Sequence, residues 1–260
     1  MIATYLNEYL EYLGRFYLID ITSLFWYISP MPRIARIAPQ EFVYHILTRG
    51  NNKQAVFKDE EDFLKYIDIL KKYKEKYQFK LYHYVLMTNH VHLVMETTDA
   101  GGELSQIMKG INLSYAQHFK NKYKYTGHFW QDRFKSIIIS KDEYLLACGS
   151  YVELNPVRAA MTKEPKEYPW SSYGANAYGK KDDLVDKHLI YENISSDENV
   201  RKEYRKFVSQ MLQKNESMRG EMERRTIYGG GDFIQLVHKK FKIDAVTKKR
   251  GRPKKETGVK

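Results

Sequence analysis

The alternation of apolar and polar residues along the chain predicts the order strand, helix, strand, strand, helix, strand, helix. Strands are indicated where β-branched and aromatic residues alternate with polar ones, and helices where apolar residues recur every three or four positions. The predicted strands are Phe42–Thr48, Lys80–Met87, Val91–Glu96 and Phe134–Ser140. The predicted helices are Asp59–Tyr77, Leu104–Lys122 and Lys141–Leu154. This order predicts a ferredoxin-like α+β fold, an antiparallel sheet with helices on one face, extended by one further helix.

The last of these helices has marked ends. Ser140-Lys141-Asp142-Glu143 predicts a capping box, which satisfies the free N–H groups at a helix start. Pro156 predicts the end of the helix, because Asn155 before a proline is disfavoured in helical geometry.

Composition divides the chain into four parts. Residues 1–30 are aromatic and slightly acidic and lack clear periodicity, so we expect an N-terminal extension, upstream of a natural start at Met31. Residues 31–180 contain the predicted sheet. Residues 187–243 predict a small helical domain, and 247–260 a basic tail that is disordered when free.

The chain carries a net charge of +11, and seven Lys or Arg residues with one Glu fall in residues 248–260. A basic body with a very basic tail predicts a polyanionic partner, most often nucleic acid, although a merely solubilising surface is the alternative. The only cysteine is Cys148, which excludes a disulfide within the chain and fits a reducing cytoplasm. Ile21 to Met31 is too short to span a membrane.

The sharpest local signal is Asn89-His90-Val91-His92-Leu93. Side chains alternate between the faces of a strand, so His90 and His92 point to one side and can both reach one divalent ion. The alternative is a pair of half-buried histidines that are hydrogen-bonded on a sheet surface. The spacing alone does not decide between the two.

Tyr151 and Asn155 are four residues apart and lie on one face of the predicted helix. The Asn155 amide could complete a neutral set of metal ligands, which would leave the ion a strong Lewis acid toward a phosphate oxygen. Tyrosine can attack a phosphodiester covalently, but its ordinary pKa near 10 means that a cation or base must assist. The chain has 22 tyrosines, and Tyr115 and Tyr144 also fall on predicted helices, so position alone leaves the nucleophile open.

Several ordered motifs together strongly resemble the REP-associated tyrosine transposases, a branch of the single-tyrosine HUH transposases of the IS200-like type, where HUH stands for His, hydrophobic, His. The resemblance covers residues 31–180. Its motifs are Asn89–Leu93, Gly127-His128-Phe129-Trp130-Gln131-Asp132-Arg133-Phe134-Lys135-Ser136, Tyr151–Arg158, Met31–Arg33, His45–Asn52 and Tyr168–Tyr173.

The resemblance implies that His90, His92 and Asn155 bind Mg²⁺ or Mn²⁺ and that Tyr151 is the nucleophile. It implies a single-stranded DNA substrate beside an imperfect hairpin, and cleavage that leaves a 5′-phosphotyrosine link and a free 3′-hydroxyl. Relatives often carry His where Glu153 stands, so no further histidine role is carried over to this helix.

Basic residues outside this set predict further DNA contacts. Arg49 and Arg158 flank the predicted site, and Arg133 and Lys135 are interleaved with aromatic residues, a pattern that suits phosphates and unstacked bases. Phe129 and Trp130 could instead be buried anchors. The segment 249–255 resembles an AT-hook, whose residues Arg250 and Arg252 would enter an A·T-rich minor groove.

Three functions remain open from the sequence. The leading one is a transposase-type DNA endonuclease and strand transferase, a monomer or homodimer that works on DNA in the cytoplasm, associated with the nucleoid. The second is a catalytically inactive, sequence-specific DNA-binding regulator. The third is a metal-dependent phosphodiesterase that activates water. The co-occurrence of His90, His92, Tyr151 and Asn155 favours the first, because a DNA-binding regulator does not need all four.

Overall fold

The computed structural model describes residues 38–141, 143–186 and 197–246, with the side chains of 213–224 left out. The expectations for residues 1–30 and for the tail 247–260, and Asp142 of the predicted capping box, therefore lie outside the described residues. Within them, no helix is long and apolar enough to span a membrane.

Five strands form one mixed sheet in the order β2-β3-β1-β4-β5. Strand β1 pairs antiparallel with β3 and with β4, β2 pairs antiparallel with β3, and β5 runs parallel to β4. The order of the first four strands is that of a ferredoxin-like sheet, so the predicted α+β class is confirmed. The strands are β1 Val43–Arg49, β2 Lys80–Met87, β3 His90–Glu96, β4 Lys135–Ile139 and β5 Ile227–Tyr228.

Seven α-helices are present in the described part of the chain, with short 3₁₀ turns at Asn51–Lys53 and Pro165–Glu167. Helix α1 begins where predicted, because the Asp59 side chain accepts a bond from the N–H of Asp62 as its N-cap. The helices are α1 Glu60–Tyr77, α2 Leu104–Tyr123, α3 Glu143–Glu153, α4 Asn155–Arg158, α5 Tyr173–Tyr178, α6 Glu198–Arg224 and α7 Gly231–Phe241.

The pleat of the strands sorts their residues between two cores. Ile46 and Leu93 pack with α1 and α2 on one face, whereas Val43 and Val94 pack with α3 on the other. The two helices of the ferredoxin-like repeat thus share one face, and the further helix α3 covers the opposite one. Because His92 alternates with Leu93, it faces α3.

The prediction that α3 ends before Pro156 is confirmed, since α3 ends at Glu153, but the expectation that Asn155 avoids helical geometry is wrong. Leu154 keeps helical angles and Asn155 begins α4, so the chain continues for another turn. Pro156 has no N–H to donate to the carbonyl of Val152, and the Asn155 side-chain amide donates to that carbonyl instead, at 3.1 Å. This side-chain bond explains how a helical turn survives beside the proline.

The described residues of 187–243 pack into the hydrophobic cores on the two faces of the sheet. Strand β5 extends the sheet beside β4, and Val237 of α7 is fully buried in the core of α1 and α2. Tyr204 and Val208 of α6 are buried in the core that contains α3. The C-terminal elements therefore support the position of α3.

Candidate active site

The two histidines of the predicted pair lie on the sheet face that α3 covers. His90 is opposite Arg49 of β1, and His92 is opposite Leu47. His90 is half-buried and His92 is buried. Their ring centroids are 5.0 Å apart with the planes at 79°. The two imidazoles are thus neighbours on one strand, as the period of two predicts.

A third histidine, His45 of β1, joins this pair. Its Nε2 lies 2.7 Å from Nδ1 of His92, and the two rings are stacked with centroids 5.0 Å apart. The motif reasoning included His45 only as part of a matching segment and assigned it no role. Its signal was a polar residue between the apolar residues of β1, but the contact depends on a diagonal cross-strand position that the sequence alone does not reveal.

Tyr151 of α3 meets both buried histidines. The centroid of its ring lies 6.0 Å from that of His92 and 5.9 Å from that of His45, in both cases nearly edge to face. The guanidinium carbon of Arg158 lies 4.2 Å from the centroid of the phenol ring. Arg158 also donates to the backbone carbonyl of Tyr151. The predicted nucleophile is therefore in the same cluster as the predicted metal ligands.

Asn155 lies one turn beyond Tyr151, and its amide nitrogen is engaged by the backbone. It donates to the carbonyls of Tyr151, at 3.0 Å, and of Val152. These two bonds orient the side chain, so a metal ion could bind only through the amide oxygen.

The electrostatic potential of this cluster is positive. Burial lowers the pKa of His45 to about 4. Burial also holds the pKa of His92 well below its usual range, and the charges of His45, His90, Arg158 and Arg49 act in the same direction. Both buried imidazoles are therefore neutral near pH 7, and the two arginines supply a positive potential that suits a phosphate group.

Comparison with known proteins bears directly on this arrangement. Residues 39–155 match the family model described as transposase, IS200-like. The sequence of this segment is therefore similar to that of IS200-like transposases. No curated protein is significantly similar to the chain.

Two solved structures that resemble the chain are described as transposases. One is a REP-associated tyrosine transposase bound to a REP hairpin, 16% identical, with a TM-score of 0.48 over 61% of this chain and 99% of that one. The other is a candidate transposase from Deinococcus radiodurans R1, 18% identical, with a TM-score of 0.33 over 51% of this chain and 95% of that one.

The residues of this cluster fit a divalent ion. Nδ1 of His92 faces His45, and Nδ1 of His90 lies 2.6 Å from Oδ1 of Asn89. A histidine that binds a metal usually donates its other ring N–H to such a partner, so Nε2 would be the metal-binding nitrogen in both rings. The described residues include no group of three or more His, Cys, Asp or Glu that could hold a metal. A third protein ligand would therefore be of another type, such as the Asn155 amide.

The basic residues predicted to contact DNA fall at different places in the structure. Lys135 is exposed and opposite Leu47, so it shares the sheet face of His92. Arg49 ends β1 opposite His90, and Arg133 is exposed just before β4. Arg250 and Arg252 lie outside the described residues.

The aromatic residues of the 127–135 segment are anchors. Phe129 is buried, and the indole N–H of Trp130 donates to the carbonyl of Asn112 at 2.9 Å. The backbone of this segment also bonds to that of β1 and the following turn, through Asn51 N to Phe129 O and Gln131 N to Arg49 O. The segment therefore holds Arg49 in place.

A buried polar network holds α3 against the sheet and α6. Glu153 is fully buried, with Oε1 2.9 Å from Nδ1 of His83 and Oε2 accepting from Tyr204 at 2.7 Å. Ser172 and Asn176 also donate to its carboxylate. Burial alone would raise the pKa of Glu153, but the attraction of His83 and these hydrogen bonds bring it below the ordinary value. Glu153 lies two residues after Tyr151, so this network positions the helix that carries the phenol.

Proposed function

We propose that the protein cleaves and rejoins single-stranded DNA through a covalent link between Tyr151 and a 5′-phosphate. The observation that carries the proposal is the contact of the Tyr151 ring with the ring of His92. A phenol beside a candidate metal ligand, with the guanidinium of Arg158 over its ring, is suited to attack on a phosphodiester.

The chemistry assigns a role to each residue. The phenolic oxygen of Tyr151 forms a bond to phosphorus, the bond from phosphorus to the 3′-oxygen breaks, and that oxygen takes a proton to become a 3′-hydroxyl. The guanidinium of Arg158 over the ring stabilises the negative charge that develops on the phenolic oxygen. Attack by a 3′-hydroxyl on the phosphotyrosine reverses the step and joins strands without ATP.

His90, His92 and Asn155 would hold Mg²⁺ or Mn²⁺. When bound, the ion supplies Lewis-acid stabilisation of the phosphate oxygens, and neutral ligands leave its charge undiminished. Arg49, which lies opposite His90 at the edge of the site, would contact the same phosphate.

We further propose that the protein belongs to the REP-associated branch and that its substrate is a single strand next to a hairpin. Support comes from the motifs at 45–52, 89–93, 127–136, 151–158 and 168–173, which resemble that branch in order and spacing. Exposed Arg133 and Lys135 would bind the backbone of the strand, and the AT-hook-like tail would bind A·T-rich duplex.

The test is to incubate the protein and Mn²⁺ with a labelled, hairpin-flanked single strand and to run a denaturing protein gel. We expect a covalent adduct that is absent in Tyr151→Phe and present in Tyr144→Phe, the matched control on the same helix. Cleavage without an adduct would instead indicate a phosphodiesterase that activates water. Binding without cleavage would indicate a DNA-binding regulator.

A further inference from the structure

We propose that His45 is a positioning residue that orients the ring of His92 so that its Nε2 is presented to the metal ion beside Tyr151. The inference deepens the proposed function and rests on it. It concerns a residue of β1 that contacts the cluster without being a metal ligand itself.

The first support is the geometry of the histidine pair. Nε2 of His45 lies 2.7 Å from Nδ1 of His92, the rings are within 10° of parallel, and both side chains are only 4% exposed. A neutral His92 that binds a cation through Nε2 must carry its proton on Nδ1. His45 is placed to accept that proton in a hydrogen bond, so it selects the tautomer that can bind metal.

The second support is that the other candidate ligand is held in the same way. Nδ1 of His90 lies 2.6 Å from Oδ1 of Asn89, an atom that can only accept. His45 therefore holds Nδ1 of His92, and Asn89 holds Nδ1 of His90. Such an arrangement is expected if the Nε2 atoms of both rings bind the same metal ion.

The third support is that a histidine is energetically unfavourable at this position. Nδ1 of His45 is buried and has no hydrogen-bond partner among the described residues. An unsatisfied buried polar group is destabilising, and an apolar residue at this strand position would avoid that cost. The bond from its other nitrogen to His92 accounts for the histidine.

His45 also contacts the nucleophile. Its ring centroid lies 5.9 Å from that of Tyr151, with the planes at 76°. The His45 side chain thus contacts both His92 and Tyr151. Its loss would weaken metal binding more than it would destabilise the fold.

The test uses Mn²⁺ alone, without DNA, and measures its affinity for the full-length protein by electron paramagnetic resonance of the free ion. His45→Leu is expected to weaken binding by about 10–100-fold, the effect usual for loss of such a partner. His45→Gln is expected to restore most of the affinity, because its amide oxygen can accept the same proton. His118→Leu is the matched control, since His118 bonds to Asp62 on the other side of the sheet.

A second readout needs no variant that could fail to fold. In metal-free protein labelled with ¹⁵N-histidine, we expect His92 to carry its proton on Nδ1. A proton on Nε2 of His92, or unchanged Mn²⁺ affinity in His45→Leu, would overturn the inference while leaving the proposed function intact. If wild type and His92→Ala bind Mn²⁺ equally, the metal role of His92 in the proposed function fails as well.

Discussion

The ring of Tyr151 packs nearly edge to face against the ring of His92, with the planes at 82°. One residue comes from α3 and the other from β3, so the contact exists only because α3 lies on the histidine face of the sheet. The features that hold α3 there can be tested separately from the chemistry.

The buried carboxylate of Glu153 is the first such feature. Glu153→Ala leaves His83, Tyr204 and their neighbours without the acceptor that they share. Breaking a buried pair of this kind costs about 3–5 kcal/mol, which urea unfolding would measure. Glu143→Ala on the same helix, where the side chain is exposed, should cost no more than about 1 kcal/mol. Equal losses in the two variants would contradict the role of the network.

Gly149 is the second feature. A Cβ at this position would lie 2.3 Å from Nε2 of His83, so Gly149→Ala must push α3 away from the sheet. We expect a loss of about 1–3 kcal/mol and a lower yield of the DNA adduct. Gly174→Ala is the control, because its Cβ would meet only the flexible side chain of Lys180, at 3.2 Å. A Gly149→Ala protein as stable and active as wild type would show that α3 does not need this close approach.

The buried histidines make a prediction about pH. The folded pKa values of His45 and His92 are below the ordinary value of 6.5, so the unfolded chain binds protons first as the pH falls. The stability of metal-free protein is therefore fully present above about pH 6.5 and declines below it, by up to about 1.4 kcal/mol per pH unit for each group. Urea unfolding between pH 7.5 and 5 measures the slope, and His45→Gln should reduce it. A stability that rises toward pH 5 would contradict this prediction.

The basic tail makes a prediction about salt. Deleting residues 248–260 removes seven cationic residues. We expect weaker binding to A·T-rich duplex and a flatter dependence on salt, because fewer counterions are released, while cleavage of a short single strand survives. Binding titrations at several salt concentrations provide the measurement. Unchanged duplex affinity would show that the tail does not bind DNA.

The sequence predicted the parts of the site that depend on local periodicity. A period of two places His90 and His92 on one face, and a helical period places Asn155 one turn from Tyr151. The contact of His45 with His92 was not predictable in this way, because it depends on the pairing register of β1 with β3. The helical turn after Leu154 was also missed, since it depends on a side-chain bond from Asn155 that replaces the one Pro156 cannot make.

The most direct test of the central claim is to locate the DNA on the protein. After reaction with Mn²⁺ and a hairpin-flanked strand, nuclease and trypsin digestion should leave nucleotide on the peptide of residues 142–158, between the cleavage sites after Lys141 and Arg158. Fragmentation by mass spectrometry then distinguishes Tyr151 from Tyr144, the other tyrosine in that peptide. We predict the phosphodiester link on Tyr151. Nucleotide on any other residue, or cut DNA with no linked peptide, would contradict the account.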